Sequence, residues 1–295
     1  MHYSADLAGL ELEHPIMNGA GTCKTLEQVK DLAKSAVSAI VVGSITIDPR
    51  QGNSDNTYYQ TMGSSLNALG LPNPGSRYYQ ENLPEMVEIA HSADKKLIVS
   101  VAGLNVLDFG RLVSIALEGG ADLVEANFGC PNVQHEQGRI FSYDIKTLKE
   151  CLRFLWGYED VGIKLSPYSD PSQLQQTAET IDHGSFKPAF LTVCNTFPNG
   201  FALSNGRHAI SPNNGLAGVG GQAMRLIGQG QVFQWRQALP NLPIIGVGGI
   251  SHGQHVLDYL QTGASAVQIA TAYLERGESP AVFSQLLTEY VNLSA

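Results

Sequence analysis

Eight short runs of apolar, β-forming residues recur along the chain, with amphipathic stretches between them. The runs are Pro15–Gly21, Ala39–Ser44, Lys96–Gly103, Leu123–Cys130, Val161–Ser166, Ala189–Thr196, Pro243–Ile250 and Ala266–Ala272. Each is nearly continuous in apolar residues, as a strand covered on both faces of a parallel sheet must be. Thr25-Leu-Glu-Gln28 has the form of a capping box opening the first helix. Helical periodicity follows over Leu104–Leu117, Tyr143–Leu155, Pro171–Ile181, Gly221–Leu239, His252–Leu260 and Ser279–Leu293. Eight such units in 295 residues predict an α/β chain folded as one (β/α)8 TIM barrel domain over residues 1–295. A doubly wound open sheet shares the βαβ pattern and is the competing arrangement. The count of eight, and glycine-rich turns that come late in the chain, favour the barrel. Two long loops, at about residues 45–80 and 197–220, are expected to be lids over its carboxyl-terminal mouth.

Composition narrows the partners. Lys plus Arg number 18 against 27 Asp plus Glu, a net charge of −9 with no basic run, which argues against nucleic acid. Cys23, Cys130, Cys151 and Cys194 have no CxxC spacing and read as free thiols of a reducing compartment. The chain shows no signal-peptide order and no apolar run of about 18 residues, so no membrane partner and a cytoplasmic location are expected.

In a barrel, the carboxyl ends of the strands face the site. Those ends present Asn18 and Gly19–Gly21, Gly43-Ser44, Asn127 with Cys130, Lys164, Asn195-Thr196, Gly248-Gly249 and Ala270-Thr271. The set holds amides, one thiol and one lysine, with Glu125 its one carboxylate, so a metal site and paired-carboxylate hydrolysis are both poorly supported. The late glycines, with Gly218-Val-Gly220-Gly221, suit a phosphate held on bare backbone N–H groups; each taken singly could equally be a tight turn. Cys130 is either a small thiol filling a barrel end or a proton acceptor. Lys164 is either an ion-paired core lysine or a cation beside an electron-rich cofactor ring.

Asn67-Ala-Leu-Gly-Leu-Pro-Asn73, Asn127-Phe-Gly-Cys-Pro-Asn-Val133, Gly162-Ile-Lys-Leu165 and Ile245-Gly-Val-Gly-Gly-Ile250 resemble the dihydroorotate dehydrogenases, specifically the soluble class 1A branch. The resemblance runs from Pro15 to Thr271, and cysteine at 130 is similar to class 1, since the membrane-bound class carries serine there. It implies pyrimidine biosynthesis and FMN in the barrel mouth. The phosphate would rest on Gly220, Gly221, Gly248, Gly249, Ala270 and Thr271, and the ring against Ala20, Gly21, Ser44, Asn127 and Lys164. It implies a substrate held by Asn67, Asn127, Asn132, Asn195 and Thr196, with backbone N–H groups from Leu69, Gly70 and Leu71. Cys130 would take the C5 proton of dihydroorotate as C6 gives hydride to the flavin, giving orotate, and fumarate would reoxidise the flavin. Class 1A relatives form homodimers, and Trp235 or Phe201 are candidate contact residues.

Three positions depart from the family pattern. A lysine at the end of the second strand is Gly43 here, a basic residue after the sixth strand is Asn213, and the serine before the cysteine is Gly129. Arg50 or Arg207, both on the lid loops, could replace the lost charge, although a solvated loop arginine is the favoured reading of each. Three functions are therefore expected to compete: a fumarate-linked dihydroorotate dehydrogenase, a related FMN oxidoreductase acting on a different ring, and a flavin-binding protein without turnover.

Overall fold

The computed structural model describes residues 3–131 and 140–294. Eight parallel strands close into a barrel: β1 (Ile16–Asn18), β2 (Ala39–Ile45), β3 (Lys96–Val101), β4 (Leu123–Asn127), β5 (Val161–Leu165), β6 (Leu191–Val193), β7 (Ile244–Val247) and β8 (Ala266–Ile269). Each falls within or overlaps one of the eight apolar runs, and helices pack outside them. The open sheet is thereby excluded, because β8 pairs with β1 through Val267–Ile16, Gln268–Met17 and Ile269–Asn18. The Thr25/Gln28 capping box forms, and a second one, Asn105 with Asp108, starts the helix Val106–Glu118. Asp170 caps Pro171–His183, whose first residue is the proline that needs no hydrogen-bond acceptor there.

The seam between β1 and β2 has a single backbone register pair, Met17 with Ala39. The Asn18 side chain supplies the missing pairing: its Nδ2 donates to the Val41 carbonyl at 2.8 Å and its Oδ1 accepts from the Val41 N–H at 2.8 Å. Asn18 is fully buried and thus closes the barrel, a correction to its expected place at the site. A short hairpin, Ala5–Leu7 with Leu10–Leu12, packs Leu7 and Leu12 against Met17, Val41, Ile98, Leu123, Phe190 and Ile245, plugging the amino-terminal end.

His14, just before β1, is buried at 3% exposure and its Nδ1 accepts the Ile16 N–H at 3.2 Å. Burial, helped by Lys95, pushes its pKa down from 6.5 to about 4. The folded state therefore binds this proton less readily than the unfolded chain. The associated stability is complete above pH 6.5 and falls as pH drops toward 4, by about 3 kcal/mol. Urea denaturation across that window should show the loss, and His14→Asn should flatten it; an equal slope in the variant would disprove the assignment.

The two expected lid loops are more ordered than the sequence reading proposed. Tyr58–Thr61 and Ser64–Asn67 from the first join Phe197–Gly200 and Ala217–Gly220 from the second in one four-stranded sheet. Its strands are short, polar and glycine-containing, so they lack the signature of a buried strand. The helix Ser76–Ser92, also unanticipated, contains Pro84. Pro84 and Gln80 are both exposed, so the carbonyl deprived of its helical donor faces water and the helix persists. Trp235 is fully buried in the core and is not a surface contact residue, whereas Phe201 is 49% exposed.

Candidate active site

Two adjoining hollows lie at the carboxyl end of the strands. The first, of about 880 Å³, is lined by Ala20, Gly21, Ser44, Asn67, Leu69, Gly70, Leu71, Asn127, Cys130, Lys164, Asn195, Thr196, Ala270 and Thr271 among the expected residues. The second, of about 560 Å³, is lined by Gly220, Gly221, Gly248 and Gly249, and shares Asn195, Thr196, Ala270 and Thr271 with the first. Asn132 lies outside the described residues.

The floor is a buried polar network. Glu125 on β4 is fully buried and accepts from Ser100 on β3, Thr192 on β6 and Gln268 on β8, each at 2.9 Å. Lys164 on β5 stands 3.6 Å from Glu125 and donates to Gln268 Oε1 at 3.1 Å. Lys164 is thus at once an ion-paired core residue and a wall of the cleft, so the two readings of its sequence position coexist. Parallel register explains the meeting, since Ser100 pairs with Glu125, and Thr192 and Asn127 each pair with Lys164.

A chain of hydrogen bonds climbs from that floor to the mouth. Ser100 and Ser44 share a bond of 2.8 Å, Asn127 Nδ2 donates to Ser44 Oγ at 3.0 Å, and Asn195 Nδ2 donates to Asn127 Oδ1 at 2.8 Å. These bonds fix the amide orientations and leave each amide one N–H for a ligand. On the opposite wall, Arg50 Nε and the Asn53 N–H hold the carbonyls of Gly70 and Leu69 at 2.9 Å. Gly70 and Leu71 both have positive φ, and the N–H groups of Leu69, Gly70 and Leu71 donate to no described residue. Arg50 therefore braces the turn and does not line the cleft, nor does Arg207, which is exposed on the hairpin Leu203–Ser204/Arg207–His208. Asn213 is likewise exposed in a turn.

The second hollow fits a phosphate-bearing group. Gly249 has a φ of +68°, and a Cβ there would stand 2.7 Å from the Arg225 nitrogen, so only glycine allows the backbone segments to meet. Thr271 Oγ1 accepts the Gly221 N–H at 3.2 Å, joining the glycine turn to the end of β8. Among the described residues its lining holds one acid, Glu275, and no lysine or arginine, which leaves backbone N–H groups and neutral side chains such as Ser251 and Thr271 as the means of holding an anion.

Cys130 is the thiol of the first hollow and is 7% exposed. Gly129, before it, donates from its N–H to Asn127 Oδ1 at 3.1 Å and accepts from Ser166 Oγ at 3.0 Å. The other cysteines are poor proton acceptors in the sense of being locked as thiols: burial pushes Cys151 and Cys194 up to about 12 and raises Cys23 as well. No group of three or more His, Cys, Asp or Glu is placed to hold a metal among the described residues.

Sequence reasoning missed several lining residues: Thr22, Lys24, Tyr58, Ser65 and Leu274. Tyr58 and Ser65 belong to the unanticipated sheet. Lys24 was findable, being a basic residue in the loop that leaves β1 for the first helix.

A family model described as dihydroorotate dehydrogenase matches residues 3–292. A Streptococcus uberis protein named dihydroorotate dehydrogenase A (fumarate) is 32% identical over 294 residues, covering 97% of this chain and 91% of that protein. Proteins of the same name from Streptococcus equi and Streptococcus pneumoniae are each 31% identical, covering 98% and 92% of this chain and 92% and 88% of their own.

Proposed function

This chain belongs to the dihydroorotate dehydrogenase family, and on that premise we propose that it oxidises dihydroorotate to orotate with FMN and passes the electrons to fumarate. The observation that carries the reading is the cleft itself, where the Cys130 thiol, two lysines and the side chains of Asn67, Asn127, Asn195 and Thr196 meet beside a glycine-lined hollow with no cation among the described residues. The flavin would supply hydride acceptance from the substrate ring. Gly220, Gly221, Gly248, Gly249, Ala270 and Thr271 would hold its phosphate, with Ala20, Gly21 and Ser44 against its ring. Lys164 would place positive charge beside that ring, and Cys130 would take the C5 proton. Asn67, Asn127, Asn195, Thr196 and, outside the described residues, Asn132 would orient the substrate by its amide edge. Non-titrating amides read such an edge at any physiological pH.

A second reading is kept by one observation. Gly43 has a φ of +106°, and a Cβ there would lie 2.3 Å from the Ser100 carbonyl oxygen, so no side chain of any kind fits at that position. A related flavin oxidoreductase acting on a differently charged ring would suit its loss of a cation. Anaerobic addition of dihydroorotate to the purified yellow protein separates the two. Bleaching of the visible band, restored by fumarate, is expected; a band that stays oxidised moves the substrate to the second reading.

The four free thiols support a cytoplasmic location, and no helix among the described residues is long and apolar enough to cross a membrane. Met62, Phe201, Leu203 and Leu216 are exposed on the segments that build the mouth, which supports a homodimer through that region. Sedimentation at micromolar concentration giving only monomer would rule that assembly out.

A further inference from the structure

Lys24 has no assigned part in the reading above. It lines the first hollow, and with Lys164 it is one of only two lysine or arginine residues among the described residues on the walls of either hollow. Lys164 already has a carboxylate, Glu125, at 3.6 Å. The Lys24 ammonium has no ion pair within 4.0 Å and no hydrogen bond among the described residues; the charge acting on it from further away is Glu278, which is exposed.

Its backbone is held from several sides. The Lys24 N–H donates to Gln28 Oε1 at 2.7 Å, and its carbonyl accepts from Tyr79 Oη at 2.9 Å. The carbonyl of Cys23, which shares a peptide unit with the Lys24 nitrogen, accepts from the Gly43 N–H at 2.9 Å, and Gly21 donates to the Gly43 carbonyl. The segment leaving β1 is thereby zipped to the end of β2, and Lys24 follows immediately. A glycine that admits no side chain thus has a lysine one peptide away, on the adjacent strand's loop, at the rim of the same cleft.

We propose that Lys24 is the anion-binding residue of this cleft, pairing with the carboxylate of the ring substrate. This rests on the dihydroorotate reading and deepens it by assigning the charge that selects an acid over its neutral ester. Partial burial draws the Lys24 pKa below the ordinary lysine range, so an arriving carboxylate would compensate a desolvated charge. The ammonium also gives the cleft a local positive end in a chain of net charge −9.

The test is a titration of the FMN-loaded wild type, Lys24→Met and Lys24→Arg with orotate and with methyl orotate, followed by the flavin spectrum and by calorimetry. Lys24→Met should weaken orotate roughly 30-fold or more while leaving methyl orotate nearly unchanged, and Lys24→Arg should recover most of the loss. Equal weakening of acid and ester would make Lys24 a structural residue and overturn the proposal. So would unchanged orotate affinity in Lys24→Met. A wild-type protein silent to orotate by both methods would overturn the dihydroorotate reading itself, and this inference with it.

Discussion

Cys130→Ala is expected to give a folded, yellow protein whose reduction by dihydroorotate is slowed by about 10²- to 10⁴-fold, the usual contribution of a positioned proton acceptor. The cleft keeps its amides and its lysines in that variant, so orotate should still perturb the flavin band. The thiol stands next to Gly129, whose N–H and carbonyl are both bonded into the wall, which anchors the backbone that carries it. Cys130→Ser retains an oxygen in place of sulfur but a much weaker acid, so its reduction rate should rise with pH where the wild type has levelled off. Anaerobic stopped-flow absorbance measures both. A Cys130→Ala protein that reduces at the wild-type rate would remove the proton-acceptor role and leave a small thiol filling a barrel end.

Lys164→Met acts on stability as well as on chemistry. It removes the cation from a fully buried carboxylate, and breaking such a pair from one side costs about 3–5 kcal/mol. Glu125 keeps three neutral donors, from Ser100, Thr192 and Gln268, which lessen but do not abolish that cost. The double variant Lys164→Met/Glu125→Gln leaves no buried charge and should regain most of the lost stability. Chemical denaturation of the apoprotein, with both variants beside wild type, decides this. A single-variant loss below about 1 kcal/mol, in the range of an exposed pair, would show that the network is held by its hydrogen bonds alone.

Much of the architecture was legible in the sequence for a definite reason. A strand covered on both faces must be apolar throughout, and eight such runs spaced by helices leave few closed arrangements. The glycine turns after β7 and before the last helices were legible too, because glycine marks close backbone approach. What escaped was whatever depends on pairing across the chain. Glu125 read as an isolated carboxylate, yet parallel register sets it against Ser100, Lys164, Thr192 and Gln268, which come from four other strands. Asn18 read as a site residue because it ends a strand; its amide instead substitutes for backbone pairing at a sparse seam. Ser64–Asn67 and Ala217–Gly220 carry no strand signal, since most of their residues are polar or glycine and the pairing that joins the two spans about 150 positions. Lys24 was passed over because its neighbours formed a helix cap, and the cap explained the segment without it.

The four-stranded sheet over the mouth has a consequence for how such proteins can diversify. Two neighbouring strands come from the segment after β6 and two from the segment after β2, and Asn67 donates to the Gly218 carbonyl at 3.2 Å across the join. Neither segment can be exchanged alone: a chimaera that imports only one from a relative leaves an open strand edge beside the cleft. Substrate preference in this lineage should therefore be inherited as a pair of distant segments transferred together, and laboratory recombination that respects the pair should yield folded, flavin-loaded hybrids far more often than recombination that divides it.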